Sequence, residues 1–410
     1  CCGPMYYSAE NYNPTSSRWL GLVTAAMAPK ASQLFHSLMN TVFSFDPSSY
    51  SSLLYSSSAE IRDNHVRLVE TSTQLLCVLL DWGLPGSSEQ VYGIEVEPVV
   101  DVDMVQDTGF NVYRTMLARI NKEDELRFLF DGFVRLLKNA YEVEMSYLPT
   151  SAGNIACFQE LIVILWKVIQ ENPLFFPYIL EHCDMNKLVV PICFLMNEAR
   201  QDPSRTGMVQ LCTFILLKCS GERSFSVALR EPVNIDLPTD LARTSGGQFD
   251  LIANTVWNCV MNGHPKLGSL FSWLLTILQN ISPYWSNMSL PVAMKLVTLF
   301  GEFSKPEHLY QEDFADAREC LELLLGTFNT IIHYQYHVNV PLVYAIARGR
   351  KFFGRIKKLT AEGAEEAARM ALNTIQEENE DDDFGDEFAW AIVETPNAGD
   401  GQVAAAAPPT

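Results

Sequence analysis

His182, Cys183 and Asp184 set a base, a nucleophile and a carboxylate side by side, the residue types that nucleophilic catalysis requires. Neighbouring residues on a helix point about 100° apart, so the three cannot converge on one substrate without partners from elsewhere. A polar cluster at a helix end accounts for them. His333 and His337 stand four apart in IIHYQYHVN, a spacing that can seat a metal ion on one helix face. The residues between them lack the glutamate of an HExxH helix and no third ligand lies near, so the pair reads as the polar edge of an aromatic-rich helix. The sequence has no GxxxxGK(S/T) phosphate loop and no GxSxG elbow. Gly349 and Gly354 in RGRKFFGR follow a helical pattern, not a strand, which removes the context of a dinucleotide site. SGER at 220–223 reads as a helix end, with Gly221 left-handed and Arg223 paired to a local acid. The expectation is a protein that is not an enzyme, with no catalytic, cofactor-binding or metal-binding residues and no cofactor.

Two segments suit binding instead. ARGRKFFGRIKKL at 347–359 sets Arg348, Arg350, Lys351, Arg355, Lys357 and Lys358 around Phe352, Phe353 and Ile356. Such a helix can rest on an anionic membrane, each cation contributing about 1 kcal/mol near the lipid. A plain cationic helix end, offsetting the acidic body, is the competing explanation. Further on, Phe384, Asp386 and Phe388 in FGDEF fit the FxDxF pattern bound by clathrin-adaptor appendage domains, with Asp381, Asp382 and Asp383 just ahead. Two aromatic anchors oriented by a carboxylate on an acidic arm would supply that recognition.

The elements that position these segments are helical. In EDELRFLFDGFVRLLKNA, Leu126, Phe130, Phe133, Leu136 and Leu137 fall on one helix face. Glu123, Asp124 and Glu125 stand at its start and Lys138 near its end, as the helix dipole favours. Similar patterns recur over 30–45, 61–82, 110–120, 154–171, 174–183, 186–200, 204–219, 248–262, 267–280, 290–303, 312–335 and 339–348. The breaks carry turn chemistry, among them Asn172-Pro173, Asp202-Pro203, Gly246-Gly247 and Ser282-Pro283. A dozen helices cannot share one small bundle core. The expected fold is all-α and multi-helical, an α-solenoid-like stacking of helical hairpins of armadillo/HEAT type with a disordered acidic C-terminal tail. Its parts are a lead-in at 1–17, a helical domain at 18–358 and an acidic tail at 359–410 with a helix over 362–379. Residues 84–109 hold six acids and no base, the composition of a solvated insertion loop.

Charge and cysteines narrow the class. The 410 residues carry 29 bases and 49 acids, and this net of −20 lacks the basic footprint that nucleic acid demands. Residues 361–410 hold 13 acids and one base. Most of the ten cysteines sit in apolar runs and, past Cys1 and Cys2, none forms a CxxC pair, so they read as core residues in a reducing compartment. No apolar run approaches the roughly 18–20 residues that span a bilayer, so any membrane contact is expected to be peripheral. The chain starts CCGPMYY, without Met, and reads as a fragment.

Several ordered segments carry a resemblance. NTVFSFDPSSY (40–50), LARINKEDELRFLFDGFVRLL (117–137), YLPTSAGNIACFQELIVILWK (147–167) and the run from VPICFLMNEARQDP to SGERSFSVALREP (190–232) resemble the high-temperature-induced dauer-formation protein family. FDLIANTVWNCVMNGHPKLGSLFSWLLTILQNISPY (249–284) and FNTIIHYQYHVNVPLVYAIARGRKFF (328–353) continue the match in the same order. The resemblance implies a non-enzymatic, all-helical cytoplasmic protein, distantly similar to dymeclin and peripherally associated with Golgi and trans-Golgi network membranes. Its implied role is a scaffold in secretory sorting and vesicle formation, with the trafficking machinery as partners. Animal members resemble N-myristoylated proteins, a start this sequence does not show. The alternative is a soluble helical-repeat adaptor or regulatory subunit that positions an enzyme.

Overall fold

The computed structural model describes residues 18–25, 30–47, 57–81, 111–145, 155–230, 247–305 and 315–358. Among these residues every regular element is helical. The lead-in at 1–17, the insertion at 84–109, the helix expected over 362–379 and the acidic segment as a whole lie outside them.

The helices follow the apolar periodicity of the sequence. In chain order they begin with α1 (Arg18–Thr24), α2 (Ala31–Phe43), α3 (Ser57–Asp81), α4 (Val112–Ala118) and α5 (Glu123–Met145). Next come α6 (Phe158–Glu171), α7 (Phe175–His182), α8 (Asn186–Ala199), α9 (Thr206–Ser220), α10 (Arg223–Ala228) and α11 (Gln248–Asn262). The last five are α12 (Phe271–Ile281), α13 (Leu290–Phe303), α14 (Ala315–Gln335), α15 (Val340–Arg348) and α16 (Arg350–Lys358). Short 3-10 turns at Pro265–Leu270, Ser282–Tyr284 and Tyr336–Val338 link some of them.

The larger helices pack in two rows. One row runs α2, α5, α8, α11, α13 and α15, each against the next; the other runs α3, α6, α9, α12 and α14. The rows also touch pairwise, α2 with α3, α5 with α6, α8 with α9, α11 with α12 and α13 with α14. One contiguous apolar cluster fills the space between them from Ala31 to Ala345. Leu126, Phe130, Phe133, Leu136 and Leu137 of α5 all lie in it, so the face read from their spacing is the buried one. Close approach at one crossing depends on Gly132, where a Cβ would stand 2.7 Å from Cδ1 of Phe43. Arg135, one turn on, donates from Nε to the Phe45 carbonyl (2.9 Å) and from Nη2 to that of Phe43, capping the carbonyl end of α2.

Two local expectations are corrected. Lys138 is not near a helix end, because α5 continues to Met145; it instead pairs with Glu142 one turn on, at 2.5 Å. Gly221 is not left-handed: its φ of −67° and ψ of −17° keep it right-handed, and its N–H still reaches the Leu217 carbonyl at 3.2 Å. The chain turns at the next residue, extended Glu222, and starts the short α10, for which the sequence reading made no provision. Asp202, at a turn the sequence marked, accepts from the Ser204 N–H and hydroxyl at 2.9 and 2.7 Å, which holds its carboxyl below the ordinary range.

Breaks between helices leave backbone groups without helical partners, and buried asparagines meet many of them. Asn111 caps α4 through Oδ1 and donates from Nδ2 to the Leu79 carbonyl in α3 at 2.7 Å. Asn139 in α5 accepts from the Ile155 N–H at 3.2 Å. Asn172 donates to the carbonyls of Leu117 and Ile120, both at 2.8 Å, and accepts from the N–H groups of Leu174 and Phe175 at 2.9 and 2.8 Å. Beside it Arg114 of α4 and Glu171 of α6 form a buried ion pair, with Nε to Oε1 at 2.8 Å. Replacing one member of such a pair leaves the other charged and buried, at a cost of roughly 3–5 kcal/mol.

The described cysteines are free thiols, and six of the eight are buried. Burial pushes the Cys157 thiol up to about 11 and those of Cys193, Cys219 and Cys259 up to about 12. Cys77, flanked by Glu160 and Asp81, and Cys212 are raised further for the same main reason. Unfolding returns these thiols toward 9.0, so their contribution is complete below that pH and is lost as pH climbs toward the folded values. Each such thiol removes roughly 1 kcal/mol per pH unit across that window. The urea midpoint should therefore fall between pH 9 and 11, and the double variant Cys193→Ala with Cys259→Ala should show a shallower fall. An equal slope in the two proteins would refute the assignment.

Candidate docking surface

The reactive clusters do not assemble. The His182 ring stacks on Tyr178 with centroids 4.8 Å apart, and its Nδ1 lies 3.2 Å from the Tyr178 carbonyl. Asp184 accepts from the Asn186 N–H at 3.1 Å and shapes the start of α8, while Cys183 is half-buried with its thiol raised by desolvation. His333 ends α14 edge-on to Tyr334, and His337 stands in the following 3-10 turn edge-on to Tyr336. The helix stops at Gln335, which breaks the i, i+4 geometry that a metal pair would use. Among the described residues no group of three or more His, Cys, Asp or Glu side chains is placed to hold a metal ion.

The same region does build a surface. After Gln335 the chain makes a 3-10 turn over Tyr336–Val338, and Pro341 then suits the first turn of α15. Buried Asn339 holds this crossing. Its Nδ2 donates to the carbonyls of Trp285 (2.7 Å) and Gln335 (3.2 Å), and its Oδ1 accepts from the Met288 N–H at 2.9 Å. Gln335 Nε2 adds a bond to the Pro283 carbonyl at 2.8 Å. Trp285 is fully buried, its ring stacked 5.9 Å from Phe249, so the stretch between α12 and α13 is a firm base.

On that base most of the chain from Ile332 to Tyr344 faces outward, Asn339 and Leu342 being buried. Ile332, Tyr334, Tyr336, Val338, Val340 and Tyr344 are all exposed, Tyr334 by 64% and Val340 by 59%. They are six of the thirteen exposed large hydrophobics among the described residues, concentrated within thirteen positions where scattered ones would need no account, which makes this ledge the candidate interaction surface. Val340, Tyr344 and Arg348 recur every fourth residue along one face of α15, and Arg348 Nη1 reaches the Tyr344 hydroxyl at 3.4 Å.

α16 adjoins this ledge and presents two different faces. Phe352, Phe353 and Ile356 pack on the core. Phe353 stacks on Phe300 with centroids 4.4 Å apart and lies 6.2 Å from Phe328. Phe352 occupies a slot floored by glycine: a Cβ on Gly301 would meet its ring at 3.0 Å, and one on Gly349 would stand 2.4 Å from Val297 Cγ1. Arg350 and Lys351 are exposed, as is Arg348 at the end of α15. Arg355 is half-buried with its guanidinium carbon 5.6 Å from the Phe352 ring, and Lys351 Nζ lies 5.7 Å from that ring. Thus the six cations singled out in the sequence belong to α15 and α16, the side chains of Lys357 and Lys358 falling outside the described ones. The aromatics between them are spent on holding α16 to the body. Phe384, Asp386 and Phe388 lie outside the described residues.

Sequence reasoning placed the break between 335 and 339 but missed the exposure of Tyr334, Tyr336, Val338, Val340 and Tyr344. The available signal was the break itself, with Asn339 and Pro341, where apolar residues crowd a turn that a helix face does not absorb.

These features define a class: an all-α, multi-helical protein with an exposed apolar ledge beside a cationic helix. The family model described as High-temperature-induced dauer-formation protein, Hid1, matches residues 1–398, and the chain belongs to that family. It is 35% identical to Protein HID1 of Homo sapiens over 360 residues, which cover 87% of this chain and 44% of the human protein. It is 22% identical over 355 residues to the Ubp5-interacting protein ftp105 of Schizosaccharomyces pombe, covering 85% of this chain and 37% of that protein. A more distant similarity, 20% over 245 residues, 53% of this chain and 36% of the relative, is to dymeclin of Xenopus laevis. The chain therefore spans less than half the length of these relatives. No solved structure matches it.

Gly349→Ala tests the seating of α16. The added methyl must displace Val297 or lift α16 off α13, and overpacking of this kind costs about 1–3 kcal/mol. Limited trypsin digestion should then cut at Arg350–Lys358 well before the rest of the chain. Unchanged cleavage order would show that α16 is not held by this slot.

Proposed function

We propose that this chain is the helical part of a non-enzymatic scaffold that associates peripherally with Golgi and trans-Golgi network membranes and serves secretory sorting and vesicle formation. Membership of the Hid1 family is the observation that carries this reading. The exposed ledge at 332–344 gives such a scaffold a place to hold trafficking proteins. Among the described residues no helix is long and apolar enough to cross a membrane, so the proposed lipid contact lies at the surface.

The geometry gives that contact a specific character. Because Phe352, Phe353 and Ile356 are packed inward, the proposed lipid contact is made through Arg348 of α15 and Arg350 and Lys351 of α16, not by burying aromatic rings. Attraction of this kind is electrostatic, worth about 1 kcal/mol per cation, and is screened by salt. The FxDxF string of Phe384, Asp386 and Phe388 is proposed as a handle for a clathrin-adaptor appendage.

A second reading has its own support. The name of the fission-yeast relative states an interaction with Ubp5, and the second reading is a soluble adaptor that holds a protein partner. That reading needs the ledge but not the membrane.

The test is the location of the tagged full-length protein that contains this chain. It should concentrate at trans-Golgi markers, and Arg348→Glu, Arg350→Glu and Lys351→Glu together should lower that enrichment about tenfold or more. A diffuse unsubstituted protein would sink the Golgi reading. Enrichment untouched by the triple change would remove α15 and α16 from the membrane contact.

A further inference from the structure

The charge along this chain is divided in an unusual way. From Leu323 to Lys358 there is no Asp or Glu, although the chain has 49 of them. That acid-free stretch contains the exposed ledge and all six cations of 348–358. Residues 377–387, EENEDDDFGDE, hold eight acids and no base, and Phe384, Phe388 and Trp390 are set in or just after them.

We infer that the segment around 381–390 docks on the outer face of α15 and α16 of its own chain, covering the ledge. The match is chemical at each point. Five carboxylates in 381–390 face a surface that offers Arg348, Arg350 and Lys351, and its three aromatic rings face exposed Tyr334, Tyr336 and Tyr344. Aromatic pairs attract each other beyond what the area they bury supplies. The lengths agree as well: a ten-residue extended segment covers roughly 33 Å, while residues 340–358 as helix cover about 28 Å. Asp381 follows Lys358 by 23 positions. As a coil that linker would span roughly 25 Å on average, and the helix expected over 362–379 would span about 27 Å, so either form brings the segment within reach of the face. One contact thereby covers both the ledge and the FxDxF string, so any outside ligand of either must displace it. This holds whether or not the surface meets a membrane.

Zero-length carbodiimide coupling of the whole 410-residue chain tests it, because this reagent joins carboxylates to lysine amines only at contact distance. Asp381–Glu387 should couple to Lys351 in preference to Lys122, a lysine between α4 and α5 whose side chain is 75% exposed. An equal mixture of isotopically heavy and light chains should give links within single copies. Raising salt to about 1 M should cut the yield about tenfold, since the screening length falls to about 3 Å. Asp381→Asn, Asp382→Asn and Asp383→Asn together should lower coupling from the remaining Asp386 and Glu387 about fivefold without touching the helical body. Phe384→Ala with Phe388→Ala should lower it about threefold. Coupling spread evenly over Lys351 and Lys122, links between heavy and light copies, or yields indifferent to salt and to either set of substitutions would each overturn the inference.

Discussion

Every place where this chain leaves a helix exposes N–H and C=O groups that the core cannot leave bare. A two-row stack of helices makes many such places and buries a good share of them. The answer, repeated along the molecule, is a buried asparagine that donates to carbonyls on one side of the break and accepts N–H groups on the other. Asn172 makes four such bonds and ties α4, α6 and the start of α7. Asn111 joins α3 to α4, and Asn339 joins the turn before α15 to the stretch before α13. An amide suits the task because it offers two donors and two acceptor sites without carrying charge into the core.

The outer surface inherits its form from these ties. With the 282–289 stretch fixed beneath Asn339, Leu342 turns into the core while Tyr336, Val338, Val340 and Tyr344 keep their apolar side chains in solvent. A few positions later the glycines at 301 and 349 open the slot that takes Phe352, which draws the aromatic side of α16 into the body. The result is an apolar ledge beside a cationic helix face, two adjoining surfaces of different chemistry. Docking of a protein segment and attraction to an anionic surface both become reasonable uses of the same few square nanometres. The helices behind them pack into one contiguous apolar cluster.

Much of the architecture was legible in the sequence, because the apolar face of each helix is written as a period. The residues from Leu126 to Leu137 are the clearest case, all five buried as their spacing implies. Turn chemistry also located the breaks, as at Asp202-Pro203. The surface was less legible. Periodicity shows which residues share a face but not whether a neighbouring element covers it, and the exposure of Tyr334 and Tyr344 depends on packing some fifty positions upstream. An asparagine at a break likewise reads as a turn residue, whether it is solvated or ties three segments together. The α15–α16 cations were found by composition alone, yet their aromatic neighbours were assigned to the outside when the glycine slot holds them within. Lys138 misled because a helix dipole argument needs the true helix end, and AYEVEM at 140–145 continues the helix beyond it.

Hydrogen exchange tests the central claim most directly, because it reads backbone groups one by one. The amides of Ile155, Phe175 and Met288 stand outside the regular i→i−4 pattern, and their partners here are the side-chain oxygens of Asn139, Asn172 and Asn339. If those asparagines tie the helices together, the three amides should exchange about a hundredfold or more slower than in an unstructured chain, comparably to the interior of α8 or α12. Exchange at the rate of an open loop, with the helices themselves protected, would contradict the account.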